Sequence, residues 1–567
     1  MYLRGVRIEN FRAIRKTSLS FDDGTVLIGE NDCGISSVLD ALDLALGFDE
    51  KSRDFPPYLF HRSESTGQAS GPIRIRLSFV ERRRGEWNKA EYSPFSFLLP
   101  ETDKRRHELV YEIEIRPTGE HQQSARYRLR SPGSKVRSSD PKLIGRFRRM
   151  NPVIRVSAGM LTGHGGHDSE SLKQSHPEMK VSSEIQDLML RINQAVDSRL
   201  SGKSMNLKAD LEDGYQAAFS LLEKGTIKLG KWESGLTRSV GEIIGWSPEG
   251  NRPNPSIPMS DPDNGPERLG ILLLIAALVR ARPGGMAPDA DPLWIIEEPE
   301  AHLHPITLTS VSIFVGLIQR QKIVTTYSGD LLASIPLGQI RRLIRHEGEL
   351  IERRVRNKVL SRNEQRRFHY HVRSRFGVAS FARFWLLVEG ESEFWILPQV
   401  ARLMGYDFAL EGIASVEFAQ CGLDPLIKVA EELSIEWHVL ADGDKAGTSY
   451  ADTARRLCPD KDPAERLTLL KESDIERCFW DSGYEQVYQK YARLSDKQLR
   501  QSSTSRIIQT AVRKRSKPFL ALSVVEAIAR KDSPGIPKVL QSMIETCVGR
   551  ARSAPSRFSQ GKSIRPH

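Results

Sequence analysis

Two apolar runs that each stop abruptly at carboxylates constrain this chain more than any other feature. LLVEGESE at 386–393 and VLADGDKAG at 439–447 both read as a strand, an acidic turn and the start of a helix. Glu389 ends the first strand, and Asp442 and Asp444 follow the second. Carboxylates at adjoining strand ends converge on one edge of a parallel sheet, where open α/β folds place their sites. Glu393, one helical turn after Glu389, can face the same point, whereas Glu391 between them points elsewhere. Either motif alone is an ordinary surface turn. Together they describe an oxygen-rich cluster whose like charges repel unless divalent cations neutralise them, which suits Mg²⁺ or Mn²⁺, two to a site.

A second α/β unit precedes this one. Residues 1–29 read as strand, turn, strand (VRIENF, SLSF, TVLIG) and run into GENDCGIS, Gly29 to Ser36, and a helix from about 36 to 46. The spacing is that of a P-loop, in which glycines let backbone N–H groups cradle phosphates. Gly29, Asn31, Gly34, Ser36 and Ser37 are the expected nucleotide contacts, but Ile35 stands where the phosphate-neutralising lysine belongs. LWIIEEPEAHLHP at 293–305 has the form of a Walker B strand. There Glu297 would hold magnesium and Glu298 would orient and deprotonate the attacking water. His302 and His304, just beyond, fit a local turn better than a metal site. KIVTTYSGDLL at 322–332 resembles the switch strand of such ATPases, with Tyr327 in the place of a histidine. NGPERLGILLLIAAL at 264–278 sits where a signature helix begins, Gly265 at its N-terminus, but lacks the serine.

Between these motifs, IRIRLSF (73–79), ELVYEIEIR (108–116) and ARYRLR (125–130) alternate as in an antiparallel sheet with one solvated face. Helical spacing over about 182–223 reads as an inserted helical hairpin, 246–266 as a long loop, and 338–378 as a basic, mixed segment. The expected organisation is an ATPase first part at 1–160, a helical insertion at 161–262, an ATPase second part at 263–378, a nuclease unit at 379–548 and a basic disordered tail at 549–567. The longest apolar stretch, 269–279, is too short to cross a bilayer, and the N-terminus has no continuous apolar core, so a cytoplasmic protein is expected. Five cysteines without a CxxC spacing suggest neither a disulfide framework nor zinc. A net charge of +11 is what a nucleic-acid-binding surface would produce.

The spacing of the acidic motifs is that of a Toprim fold, and the chain as a whole resembles the OLD (overcoming lysogenization defect) family of ATP-dependent endonucleases, in its YbjD-like branch. The resemblance runs through IENFRAI, VLIGEN, the EEPE strand, TTYSGDLL, FARFWLLVEGESE, VEFAQCGLDPLIK, EWHVLADGDKAG, DIERCFWDSGYEQVY and RSKPFLALSVVEAI. It implies an ABC-type (SMC/RecF-like) ATPase fused to a Toprim nuclease, with DNA as substrate and ATP as a cofactor that Ile35 and Tyr327 put in doubt. It also implies dimerisation through the helical insertion, a possible helicase partner, and work in DNA repair or phage defence. By the same resemblance Glu476 completes the metal-binding carboxylates and Lys517 stabilises charge on the phosphate, with Lys514 and Arg515 as neighbouring competitors. Two other readings compete: a RecF- or SMC-type DNA clamp, which the carboxylates at 389–476 oppose, and a catalytically silent scaffold, which the altered P-loop favours.

Overall fold

The computed structural model describes residues 1–47, 55–62, 69–100, 106–116, 124–132, 134–157, 290–301, 315, 320–346, 348–458 and 462–554. The expected helical insertion, Gly265, His302 and His304 lie outside the described residues. The chain divides into two compact units, Met1–Tyr327 with Gln339–Glu352, and Ser328–Gly338 with Arg353–His567.

The first unit is built on one mixed sheet, twelve-stranded among the described residues. Its strands are β1 (Tyr2–Phe11), β2 (Ile14–Ser20), β3 (Gly24–Gly29), β4 (Ile73–Val80), β5 (Glu108–Arg116), β6 (Ser124–Arg130), β7 (Arg137–Ser138), β8 (Val153–Ser157), β9 (Leu293–Glu297), β10 (Lys322–Thr325), β11 (Ile340–His346) and β12 (Glu349–Arg353). They lie in the order β7-β6-β5-β4-β1-β2-β12-β11-β3-β10-β9-β8. One half, β1, β2 and β4 to β7, is antiparallel. The other, β11, β3, β10, β9 and β8, is parallel. Parallel pairing puts the C-terminal ends of β3, β9 and β10 on one edge, and helix α1 (Ile35–Leu46) springs from β3 there. Val38, Leu39, Leu42, Ala45 and Leu46 of α1 are fully buried in the core under the sheet.

One expectation changes. The antiparallel half does not present a freely solvated face: Glu112 and Glu114 of β5 are 9% and 7% exposed. Arg76 donates to Glu112 at 3.0 Å and Arg116 to Glu114 at 2.7 Å, so paired arginine stems cover this face. Arg116, with Arg74, also holds the Glu114 carboxyl below the ordinary range. The basic, mixed segment 338–378 supplies β11 and β12. Arg341 of β11, only 1% exposed, pairs with Asp22 and with Glu352 at 3.1 Å, which lets an arginine-rich run enter a sheet.

The second unit begins with helix α3 (Gly329–Ala333), if Pro141–Met150 of the first is counted as α2, and α4 (Arg362–Ala379). Its sheet has four parallel strands in the order β14-β13-β15-β16, namely β13 (Phe384–Val388), β14 (Ile413–Glu417), β15 (Glu436–Ala441) and β16 (Leu467–Leu469). Every residue of β13 is buried, as its uninterrupted FWLLV implies. Around the sheet lie α5 (Glu391–Leu403), α6 (Leu423–Leu433), α7 (Lys445–Leu457), α8 (Ile475–Phe479), α9 (Glu485–Ala492), α10 (Thr504–Lys514), α11 (Lys517–Ile528) and α12 (Lys538–Ser553). The last of these runs through the first residues of the expected disordered tail. Cys547, Val548 and Ala551 recur on one helical face and are buried, so order persists to Ser553, and 555–567 lie outside the described residues. No helix among the described residues is long and apolar enough to cross a membrane.

Candidate active site

In the second unit β13 and β15 pair in parallel with Leu387 opposite Val439, so Glu389 and Asp442 leave neighbouring strands at the same edge. The turn after β15 is closed tightly. A Cβ on Gly447 would stand 1.9 Å from the Asp442 carbonyl oxygen, so only glycine lets α7 begin this close to the strand. Asp444 caps α7, one carboxylate oxygen accepting from Gly447 N–H at 2.7 Å. Across the edge, Glu393 in the first turn of α5 reaches back to accept from Gly390 N–H at 3.2 Å. Ser392 donates to Glu476 of α8 at 2.6 Å.

Electrostatics shows how close these groups are. Burial pushes the Asp442 carboxyl up to about 8, reinforced by Glu393, Glu389, Asp474 and Glu476. Glu393, 6% exposed, is pushed up to about 7 by burial, with Glu476 adding to the rise and Lys517 opposing it. Glu389 is raised by burial and then by Asp444, against the pull of Lys517, and one of its carboxylate oxygens is buried without a hydrogen-bond partner. All five expected carboxylates and Lys517, at the start of α11, therefore act on one another as neighbouring charges.

The competing cations are engaged elsewhere. Lys514 donates to the carbonyl oxygens of Ala492 at 2.7 Å and Arg493 at 3.4 Å, closing the end of α9. Arg515 lies over the rings of Tyr491 and Phe519. Three neighbours escaped sequence reasoning. Ser392 carries no chemical signature of its own, and Tyr450, whose hydroxyl is raised by burial and by Glu389 and Asp444, lies on α7 with its ring edge-on to buried Phe418. Asp474 could have been noticed as an N-cap, since it accepts from Arg477 N–H at 2.7 Å.

Among the described residues no three His, Cys, Asp or Glu side chains are already drawn into a group that could hold a metal ion. The donor set nevertheless fits one: it is all oxygen, it is crowded with like charge, and it includes the buried unpartnered oxygen of Glu389.

The expected nucleotide centre lies in the first unit, at the shared edge of β3, β10 and β9. Gly29 ends β3, Gly34 caps α1, and Asn31 and Ser36 are exposed, whereas Ser37 is buried. Ile35 is 8% exposed and belongs to the core, so it brings no charge to the loop. Glu297 accepts from Arg155 Nε at 3.0 Å and Nη2 at 2.8 Å. Glu298 sits in the left-handed region at φ 46°, its N–H donating to Thr325, and its carboxyl is raised by burial and by Glu297 and Glu300. Burial and the surrounding acids push the Tyr327 hydroxyl up to about 12, which keeps it a neutral phenol. With no cation at 35 and Glu297, the expected metal ligand, engaged by an arginine, these residues do not fit a magnesium-bound nucleotide as they stand.

Residues 1–379 match a family described as Protein of unknown function (DUF2813), and residues 381–444 match the Toprim domain of overcoming lysogenization defect protein-like sequences. The second match contains Glu389, Glu393, Asp442 and Asp444, while Glu476 and Lys517 lie beyond it. The uncharacterized protein YbjD of Escherichia coli (strain K12) is 32% identical over 579 residues, covering 97% of this chain and 99% of that protein. Among solved structures, the C-terminal region of the Burkholderia pseudomallei OLD protein is 17% identical, with a TM-score of 0.26, and covers 30% of this chain and 99% of that one. The SMC head domain from Thermotoga maritima is 16% identical, with a TM-score of 0.33, and covers 63% of this chain and all of that one, 100%.

Proposed function

Given that this chain belongs to the DUF2813 family and carries an OLD-like Toprim domain directly after the family's matched region, we propose that it is a metal-dependent DNA endonuclease whose ATPase-type unit turns over nucleotide poorly. The observation that carries the reading is the gathering of Glu389, Glu393, Asp442, Asp444 and Glu476 about one edge of the parallel sheet, where burial first and neighbouring carboxylates second raise Asp442 to about 8. Carboxylates crowded this way are costly in an apoprotein and become favourable once they share cations.

In this reading Glu389, Asp442 and Asp444 hold the cations, with Glu393 and Glu476 completing the set. Mg²⁺ or Mn²⁺ there would supply Lewis acidity for attack by water and for departure of the leaving oxygen. Asp442 and Glu393, whose carboxyls burial raises, would hold a cation as carboxylates, having given up their protons. Lys517 would stabilise the negative charge that develops on the phosphate, a role that favours the transition state over bound DNA. The net charge of +11 supports a polyanionic substrate. Homodimerisation through 161–262, a helicase partner and a place in DNA repair or phage defence belong to the same proposal.

The deciding experiment incubates the full chain with supercoiled and linear DNA, with Mg²⁺ or Mn²⁺ and with or without ATP. Metal-dependent cutting that Asp442→Ala abolishes is expected. An Asp442→Ala protein that cuts as fast as the parent would refute the metal assignment, and binding without any cutting would favour a clamp or scaffold.

A further inference from the structure

Helix α1, which follows the loop at Gly29–Ser36, and the strand at Glu297 are tied together by a chain of alternating charges. Arg12, in the turn between β1 and β2, pairs with one oxygen of Asp40 on α1. The other Asp40 oxygen accepts from Arg155 Nη1 at 2.7 Å. Arg155 then donates twice to a single oxygen of Glu297, at 3.0 and 2.8 Å. The register explains the reach: Arg155 of β8 lies opposite Ile295 of β9, so Glu297, two residues on, shares its face of the sheet.

The balance of this chain is its significance. Two guanidinium groups face two carboxylates, which leaves Glu297 satisfied without an external cation. Arginine suits the position, because one planar fork can hold carboxylates on two different elements where an ammonium would serve as a single point charge. Arg155 is three-quarters buried, so solvent screens these contacts less than it would an exposed pair. Meanwhile Ile35 has joined the core and brings no charge to the loop. The helix and the strand that ordinarily answer to a metal-bound nucleotide are thus already joined by the protein's own charges.

We propose that Arg155 is an internal cation that occupies Glu297 in place of a nucleotide-bound metal, fastening α1 to β9 so that the first unit keeps its form without nucleotide. The proposal rests on reading Gly29–Ser36 and Glu297 as a nucleotide centre, and it stands apart from the nuclease chemistry. Its consequence is a withheld site: Glu297 becomes available to a metal only when Arg155 lets go.

Two measurements on the full-length chain test this. The first is a double-mutant cycle in thermal unfolding with Arg155→Met and Glu297→Gln. Each single change should lower Tm by roughly 2–4 °C, and the pair together no more than the worse single change, because both remove one interaction. The second is Mg²⁺-dependent binding of a fluorescent ATP analogue, read by anisotropy. The parent should show little, and Arg155→Met should bind about tenfold more tightly, which corresponds to 1.4 kcal/mol. Additive falls in Tm would overturn the proposal, as would a parent that binds as tightly as Arg155→Met, including the case in which neither binds. Cutting of DNA by Arg155→Met at the parent rate separates failure here from failure of the nuclease reading.

Discussion

The hydroxyl of Ser392 donates to a carboxylate oxygen of Glu476 at 2.6 Å, across 84 residues of chain. The serine is 4% exposed and adjoins Glu393, so the bond fixes the carboxylate of α8 beside that of α5. A carboxylate held through one oxygen presents the other in a set direction, which is how outer partners orient metal ligands.

Ser392→Ala should therefore weaken Mn²⁺ binding by roughly 10–100-fold with little change in fold, and Ser392→Thr should retain most of the affinity. Isothermal titration of the metal into each protein gives the answer. An Ser392→Ala protein with parental metal affinity would remove Glu476 from the ligand set.

Lys517 and Lys514 are three residues apart yet face different partners, and their alanine variants should differ in kind. Lys517→Ala should slow single-turnover cleavage by roughly 10²–10³-fold with a much smaller effect on DNA affinity. Lys514→Ala should leave the rate alone and cost about 1 kcal/mol of stability, since it releases the carbonyl oxygens at the end of α9. Equal losses of DNA affinity in both variants would point to a general phosphate-binding surface.

The parent should hydrolyse ATP poorly or not at all, and cut DNA without it. Ile35 is a core side chain, Tyr327 is a neutral phenol, and Glu297 is held by Arg155, so Glu298 has no well-held phosphate to aim water at. Ile35→Lys should cost stability, because it buries an ammonium in the apolar core to which Ile35 belongs. A radiolabelled assay showing ordinary ABC-ATPase turnover in the parent, lost on Glu298→Gln, would contradict this.

His438 offers a test of the second unit by pH. Its ring is fully buried between Thr468 Oγ1 at 2.8 Å and the Glu465 carbonyl oxygen at 3.0 Å, and burial pushes it down to about 4 from 6.5. Because the unfolded chain takes up the proton first, the stability gained from a neutral ring is complete above pH 6.5. It is lost as pH falls towards 4, by something on the order of 3 kcal/mol. Acid unfolding followed by circular dichroism should be less steep over this range in His438→Gln, and identical profiles would show that the ring protonates freely in the fold.

The parts of this molecule that could be read in one dimension are those in which a strand announces its own end. FWLLV and the VLA that closes EWHVLA are apolar to their last residue, so Glu389 and Asp442 stand out just beyond them, and Glu297 does the same after LWII. What escaped depends on partners distant in sequence. The run IRRLIRH is too basic to look like a strand until Asp22 and Glu352 are placed against Arg341. Arg155 is one charge in a short β-strand until Asp40 and Glu297 close on it. The missing lysine at 35 was plain from spacing alone, but only packing shows that its replacement serves the core.

The path of the chain between the units has an evolutionary consequence. Ser328–Gly338 belongs to the second unit, and Gln339–Glu352 returns to the first before Arg353 leaves it again. Within the second unit the Gly329 carbonyl oxygen lies 1.9 Å from where a Cβ on Gly377 would stand, so α3 is seated closely on α4. A single genetic crossover near residue 380 would deliver the Toprim strands but leave α3 and α4 with the other parent. Either half could be exchanged for a foreign counterpart only by recombination at several points at once. Selection is thus expected to have inherited the two units as one piece, whatever became of the nucleotide centre in the first.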